Sequence, residues 1–464
     1  MIARETLSLA PGVGLTPTAD GRRTLSSRFP LTLPPVSLSV SAALDALCEG
    51  GHSADELTEL AGRDGLTHAA IFHSLLETLR AHWALARSLH LDGHLIARLH
   101  PETVQAARSL PRADIRYRLS RFAFTLGVES GLGLRVPMSP PTLWMGSWHG
   151  PALLGALSTP KLPAELAQAV PGIPAETAAA FLLMLMETRA LVAVAPDGTA
   201  IEPEALSTWE AHDLMFHSWT RWGVQEKGYG GATYRFRGQQ PQPGRKPRPS
   251  GEPLSLEKPD LATLKQTDPP FTEVLERRRT MRHQGERPIT RAQLGELLYR
   301  AVGLRHADLE GRDQKEARPY PAGGALYENE VYVLVHQCEG LQPALYAYWL
   351  EDHTLYPVPA PKEELEMLLQ LATQSMNFQK RPQVVLVLTA RFARIAWKYE
   401  TMAYAVMLKH VGVIFQTLYL VATAMGLAPC ALGNGGADLF ARAAGLDPLV
   451  EGSVGEFVIG SRLD

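Results

Sequence analysis

Residues 238–253, GQQPQPGRKPRPSGEP, are dense in proline, glycine and glutamine and carry no apolar periodicity. A segment of this composition builds no core and favours extended backbone. It therefore cuts the chain into a front part and a back part that must bury their apolar residues separately. The length of 464 residues demands the same division, because one core stops growing near ~250–300 residues. The expected layout is a module over 1–105, a second over 106–225, a proline- and glycine-rich linker over 226–265, and a larger domain over 266–464. The linker is expected to span a distance or to lie along a partner surface.

Composition narrows the function. With 45% hydrophobic and 20% charged residues the chain reads as a folded, soluble protein. A formal net charge of -3 gives no basic excess to neutralise a phosphate backbone, so nucleic acid is not an expected partner. Cys48, Cys338 and Cys430 lie far apart and in no CxxC arrangement, which provides neither a thiolate zinc site nor a disulfide framework. The opening MIARETLSLAPGVG lacks a charged stretch followed by an unbroken apolar run, so a cytoplasmic location is expected. Met402 to Met425 is the most membrane-like segment, but Lys409, His410 and Gln416 in its middle favour a buried core helix and no membrane span.

Between Ser41 and Leu99 a short apolar helix is followed by SADELTELAG, a longer helix from about Thr67 to Trp83, and two short strands around Asp92-Gly93. That order predicts a winged-helix-like module. Ser53 and Glu56 stand at capping-box spacing, and Ile71, Leu75, Leu76 and Leu79 form one apolar face of the third helix. About one hundred residues later a helix around Pro151 to Leu157, LPAELAQAV, AETAAAFLLMLMETRALVAV and the turn Pro196-Asp197-Gly198 repeat the order, which reads as a second copy. Its helix-turn-helix carries few cations, Lys161 and Arg189, so packing or docking is expected in place of DNA readout.

From Phe271 onward helices and strands alternate: helix Phe271 to Arg279, ITRAQLGELLYRAVG, strands NEVYVLVHQ and ALYAYWL, helix EELEMLLQLA, strand QVVLVLTARF, the long helix to Met425 and a last strand GEFVIGSRL. This is an α+β domain. The long helix is apolar nearly all round and is expected to be covered by its own sheet or by a second subunit.

Four clusters in this domain carry chemistry. In RRRTMR, Arg278, Thr280 and Arg282 stand at alternate positions just after a helix, a set that suits a phosphorylated cofactor and equally a solvated helix end. In ARPYPAGGALYENE (317–330), Gly323 and Gly324 let the backbone approach a flat ligand, or simply make a tight turn. Lys398 and Tyr399 are adjacent in RIAWKYE; with reference pKa values near ~10, either serves as a base only where the site lowers its pKa. Gly433 to Gly436 form a second glycine-rich loop able to present N–H groups to a phosphate. Neither loop matches GxGxxG or GxxxxGK[ST], so NAD-type and ATP-type sites have no motif support.

Taken in order, RRRTMR, RPYPAGGALYENEVYV, YAYWLEDHTLYPV, WKYE and QTLYLVATAMGLAPCALG, over roughly residues 271 to 464, resemble the SagB/McbC-type dehydrogenases, the flavin subunits of azole-forming peptide synthetases in the nitroreductase superfamily. The resemblance implies an α+β nitroreductase-like FMN domain, a mixed sheet flanked by helices, preceded by two winged-helix-like modules. It implies a homodimer with FMN at the subunit interface. By that resemblance Arg278, Thr280 and Arg282 would hold the phosphate and ribityl chain; Pro321, Ala322, Gly323 and Gly324 would line the isoalloxazine; Gln416 is retained from a helix motif; and Gly433, Gly435 and Arg462 would close the far end. Lys398 and Tyr399 match the family's catalytic pair. Departures are Ala322 where the loop commonly has serine, Glu328 where it has a second proline, and Val413 and Thr417 around Gln416 in a helix that commonly reads GHxxQN. In the front half, YRLSRFAF and WEAHDLMFHSW look like the linking segments of members with winged-helix modules.

The reaction so implied is oxidation of an azoline (thiazoline or oxazoline) to an azole in a ribosomally made precursor peptide. Lys398 or Tyr399 takes the α proton, the flavin takes the hydride, and oxygen is the reoxidant. A cyclodehydratase is the implied partner. The alternatives are an NAD(P)H-dependent nitro- or quinone reductase and a scaffold subunit that has lost activity.

Overall fold

The computed structural model describes residues 3–27, 29–102, 111–128, 131–137, 139–223, 225, 228–308, 310 and 314–463. Two compact units emerge, Met1–Glu226 and Lys227–Asp464.

The front unit holds the expected helices and more strands than the sequence betrayed. Three helices (Leu38–Glu49, Ala54–Ala61, Leu66–Ala81) precede the hairpin Leu85–Leu91/His94–His100, and three more (His149–Ala156, Pro163–Ala169, Ala175–Glu187) precede Leu191–Val194/Ala200–Ile201. Ser53 and Glu56 do cap reciprocally, with the Glu56 amide donating to Ser53 Oγ at 3.2 Å and the Ser53 amide to Glu56 Oε2 at 2.8 Å. Asp92 and Gly93 both have left-handed φ, as a tight hairpin requires. The third helix buries Phe72, Leu75, Leu76 and Leu79, while Ile71 is 41% exposed. The predicted face is therefore rotated by one residue, because Phe72 offers more apolar surface than Ile71. One six-stranded antiparallel sheet takes strands from both halves of the unit, in the order Ala3–Leu9, Leu85–Leu91, His94–His100, Thr142–Met145, Gly131–Arg135, Phe124–Val128. Arg87 of the first half is buried against Glu187 of the second. The two helical sets thus share one body.

In the second unit a seven-stranded sheet is built from β1 (Leu254–Ser255), β2 (Asn329–Val335), β3 (Ala344–Trp349), β4 (Thr354–Val358), β5 (Val384–Arg391), β6 (Leu427–Ala431) and β7 (Glu451–Ser461), in the order β1-β4-β3-β2-β5-β7-β6. Its described pairings are all antiparallel, where a mixed sheet was expected. Short connections from β2 to β3 to β4 permit only that sense, and the helical crossovers bring β5 and β6 in from one end and β7 from the other. The sheet is buried on both faces. Along β2, Val331, Val333 and Val335 face one cluster while Tyr332 and Leu334 face another. The first cluster is closed by α2 (Arg291–Val302) and by α5 (Ala403–Ala424) through Val411, Ile414 and Leu418; the second by α3 (Lys362–Ser375) and α6 (Ala437–Ala443). Each fully buried leucine there contributes roughly 1.5–3 kcal/mol. α5 is long and apolar enough to cross a membrane by length and composition alone, yet one side is core. Tyr404 (46%) and Leu408 (38%) on its other side stay exposed, so this unit alone does not cover the helix all round.

Much of the expected linker lies on this unit. Arg245 pairs with Glu316 and Glu351, Lys246 with Glu451 at 2.7 Å, and Arg248 with Asp352 at 3.0 Å. Arg391 and Arg394 donate to the carbonyls of Gly244 and Pro243. Proline removes backbone donors from the segment but leaves its carbonyls and interspersed cations free to bind.

Candidate active site

The glycine-rich loop between Arg318 and β2 is held at its base by a buried guanidinium. Arg318 donates to Glu316 Oε2 (2.8 Å), the Tyr320 hydroxyl (3.1 Å) and the Asn329 carbonyl (2.7 Å), and Tyr327 donates to the Tyr320 carbonyl at 2.9 Å. Burial pushes the Tyr320 hydroxyl up to about 12 while Arg318 pulls it down, so it stays protonated. Gly324 has φ +63, and Ala325 (φ 58) and Tyr327 (φ 48) are also left-handed. Non-glycine residues in that region are costly and cluster where a fold enforces a special geometry.

The loop's glycines are required by what stands over them. A β-carbon on Gly323 would lie 3.0 Å from the Tyr399 hydroxyl, 3.1 Å from Val406 Cγ1 and 3.3 Å from His410 Nε2; one on Gly324 would lie 2.9 Å from Lys398 Nζ. A phenol, an amine and an imidazole from residues 398–410, far along the chain from the loop, thus converge on one dipeptide. Pro321 is exposed, and Ala322 packs in part against the core.

Lys398 and Tyr399 reach this point after β5 turns into the short helix α4 (Phe392–Ala396). They are fixed by a segment the sequence reading passed over. Gly230–Gly231 pair antiparallel with Tyr399–Glu400, the Thr233 amide donates to the Lys398 carbonyl at 3.2 Å, and Thr401 Oγ1 donates to the Gly228 carbonyl at 2.9 Å. Lys398 Nζ sits 6.0 Å from the Tyr234 ring, within cation–π reach. A β-carbon on Gly231 would fall 2.9 Å from the Tyr399 ring, so the close approach needs glycine. The visible signal was GYGG (228–231), a glycine cluster just before the proline-rich stretch.

His410 and Glu328, each noted in the sequence for another reason, were not assigned to the site. The Gly323 amide donates to His410 Nε2 at 2.7 Å, and His410 Nδ1 lies 2.7 Å from Glu328 Oε1. Both side chains are buried, Glu328 completely. The signals were a polar residue inside an apolar helix and a carboxylate where the resembled loop has proline.

The arginine cluster forms a separate region. Arg278 ends α1 (Phe271–Arg277), with its guanidinium 5.5 Å from the Tyr419 ring. Thr280 Oγ1 is 2.9 Å from the Tyr419 hydroxyl, which accepts the Ala431 amide at 2.8 Å. The Met281 amide donates to the Pro429 carbonyl, laying the run beside β6. Two adjoining clefts result. One, of ≈ 320 Å³, brings Arg278 and Arg462 together; the other, of ≈ 460 Å³, is lined by Thr280 and Arg282 with Asn377 and Gln379. The three alternating residues therefore open onto two clefts that share Arg279 and Met281. His410 and Tyr419 both project from α5, nine residues apart, so the two regions are separated by roughly 13 Å along the helix.

The remaining predicted residues stand elsewhere. Gln416 is on an exposed side of α5. Gly433 is exposed with open space around it, whereas a β-carbon on Gly435 would meet the Glu456 carboxylate at 2.0 Å.

Residues 275–461 match the Nitroreductase family, and residues 117–226 match the cyanobactin oxidase ThcOx. The second match contains both YRLSRFAF and WEAHDLMFHSW. A Methanocaldococcus jannaschii protein named as a nitroreductase is 28% identical over 183 residues, 39% of this chain and 85% of that protein. Among solved structures, a nitroreductase from Ralstonia eutropha JMP134 is similar at 19% identity and a TM-score of 0.36, covering 51% of this chain and 100% of its own. The E. coli microcin synthetase McbBCD complex with truncated pro-MccB17 bound is similar at 20% identity and a TM-score of 0.34, covering 57% of this chain and 95% of its own. The chain is an α+β protein with a nitroreductase-like domain at its C-terminal end and a cyanobactin-oxidase-like region before it, and this pairing supports an oxidoreductase.

Proposed function

We propose that the second unit binds FMN and oxidises azoline rings to azoles in a ribosomally made, post-translationally modified peptide. The observation that carries the reading is the convergence of Tyr399, Lys398 and the Gly323–Gly324 backbone. The donor set also fits the cofactor: Arg278 and Arg462 in one cleft suit a phosphate, and a small-residue loop lies roughly 13 Å away along α5. The cyanobactin oxidase match in the front half favours a peptide substrate over a free small molecule.

Bound FMN would supply a two-electron acceptor for the ring, with molecular oxygen as the final oxidant. The protein's own part is to hold the ring and move a proton. An azoline held beside the Gly323–Gly324 loop meets the Tyr399 hydroxyl and the Lys398 amine, and one of them in its deprotonated form takes the α-carbon proton. Tyr234 and the strand pairing at Gly230–Gly231 fix both side chains from behind.

A homodimer is part of the proposal, supported by the exposed Tyr404 and Leu408 on α5 and Phe271 on α1. So are a cyclodehydratase partner that supplies the azoline and a cytoplasmic location. The relative named as a nitroreductase favours a second reading, an NAD(P)H-dependent nitro- or quinone reductase. An absorbance spectrum with mass spectrometry of the heat-released chromophore, followed by incubation with an azoline peptide, separates these. Flavin bands and azole formation without NAD(P)H support the proposal. NADH oxidation without peptide supports the reductase, and a colourless protein that cannot be reconstituted supports a scaffold.

A further inference from the structure

We infer that the buried Glu328–His410 couple is a positioning device, which locks the Gly323 amide and thereby holds the Gly323–Gly324 backbone at the depth that Tyr399 and Lys398 need. The inference rests on the reading of Lys398 and Tyr399 as the reacting pair. A backbone N–H can only donate, so the Nε2 that Gly323 meets at 2.7 Å presents its lone pair. The ring proton is then on Nδ1, which donates to Glu328 Oε1 at 2.7 Å. A single neutral tautomer follows from the network.

Glu328 has no exposed surface, and its Oε2 has no hydrogen-bond partner among the described residues. Such a group is costly to bury and calls for an explanation beyond packing. Val406, one helical turn before His410, stands on the same face of α5 and completes the wall against Gly323. Because its Nε2 lone pair is already taken by the amide, the imidazole is not the proton acceptor; its effect passes through the backbone it holds.

The test compares two variants of the full-length, FMN-loaded protein. His410→Leu keeps volume and removes both hydrogen bonds. His410→Gln keeps both, since its carbonyl accepts from the Gly323 amide and its amide donates to Glu328. His410→Leu should lower kcat for azole formation about 10–10²-fold with KM for the peptide nearly unchanged, as expected for a misplaced reacting geometry. His410→Gln should recover most of that loss. Hydrogen exchange across residues 320–327, measured with no azoline present, should quicken in His410→Leu and not in His410→Gln. A glutamine variant as inactive as the leucine variant would mean that the ring itself carries a proton, overturning the inference. Unchanged exchange and kcat in His410→Leu would overturn it too. If native protein oxidises no azoline while the exchange contrast persists, the proposed reaction fails and the loop lock stands.

Discussion

Two glycine-rich loops of the same unit look alike in sequence and differ in what they touch. Gly323–Gly324 is overhung by three different side chains, Tyr399, Lys398 and His410; Gly435 is overhung by the carboxylate of Glu456 alone. Gly436, beside it, faces Leu371, Leu439 and Leu368. Both loops need glycine, but only the first gathers a phenol, an amine and an imidazole over one dipeptide. Glycine alone therefore marks a close approach, and the partner decides its meaning.

Substitutions at the two loops should part accordingly. Gly324→Ala places a methyl 2.9 Å from Lys398 Nζ at a left-handed φ. It should cut azole formation about 10²-fold in steady-state assays, since a shift near 1 Å in a reacting group has that effect. Equal activity would mean that Lys398 need not stand where it does. Between the loops, Arg278→Ala removes a charge-assisted contact to the phosphate and should weaken FMN binding about 10–10²-fold in a fluorescence titration, with little change in Tm. Unaltered FMN affinity would move the phosphate out of the Arg278–Arg462 cleft. Gly435→Ala should lower stability by ~1–3 kcal/mol in chemical denaturation through overpacking against Glu456, while kcat per folded protein stays native. A selective loss of kcat would erase the contrast between the loops.

The smallest expected effect is at Glu456. Burial pushes its carboxyl above the ordinary value of 4.5, and the Ser453 hydroxyl opposes this. A folded-state pKa that is raised means stability fully present below pH 4.5 and lost as pH rises through the native value. Glu456→Gln should therefore raise Tm at neutral pH, with the gain vanishing below about pH 4.5. A gain that grows on acidification would reverse the sign of the shift.

What was legible in the sequence was whatever local pattern decides. The helices, the capping box at Ser53, the Asp92-Gly93 turn and the Lys398-Tyr399 pair all rest on near neighbours in the chain. The six-stranded sheet of the front unit was not legible, because Ala3–Leu9 finds its partner strand only at Leu85–Leu91. Nor was the role of GYGG, read as the start of a spacer, which pairs with Tyr399–Glu400 across the unit. The cations at 245, 246 and 248 looked like linker composition until their carboxylate partners were in place. Glu328 and His410 are 82 residues apart, and nothing local joins them.

The central claim is most directly tested by a variant combining Lys398→Ala with Tyr399→Phe, purified with FMN and incubated with an azoline peptide while loss of two hydrogens per ring is followed by mass spectrometry. The account predicts native flavin absorbance and azole formation reduced at least about 10²–10⁴-fold, the span expected for removing general acid–base catalysis. Azole formation at the native rate, with flavin bound, would contradict it.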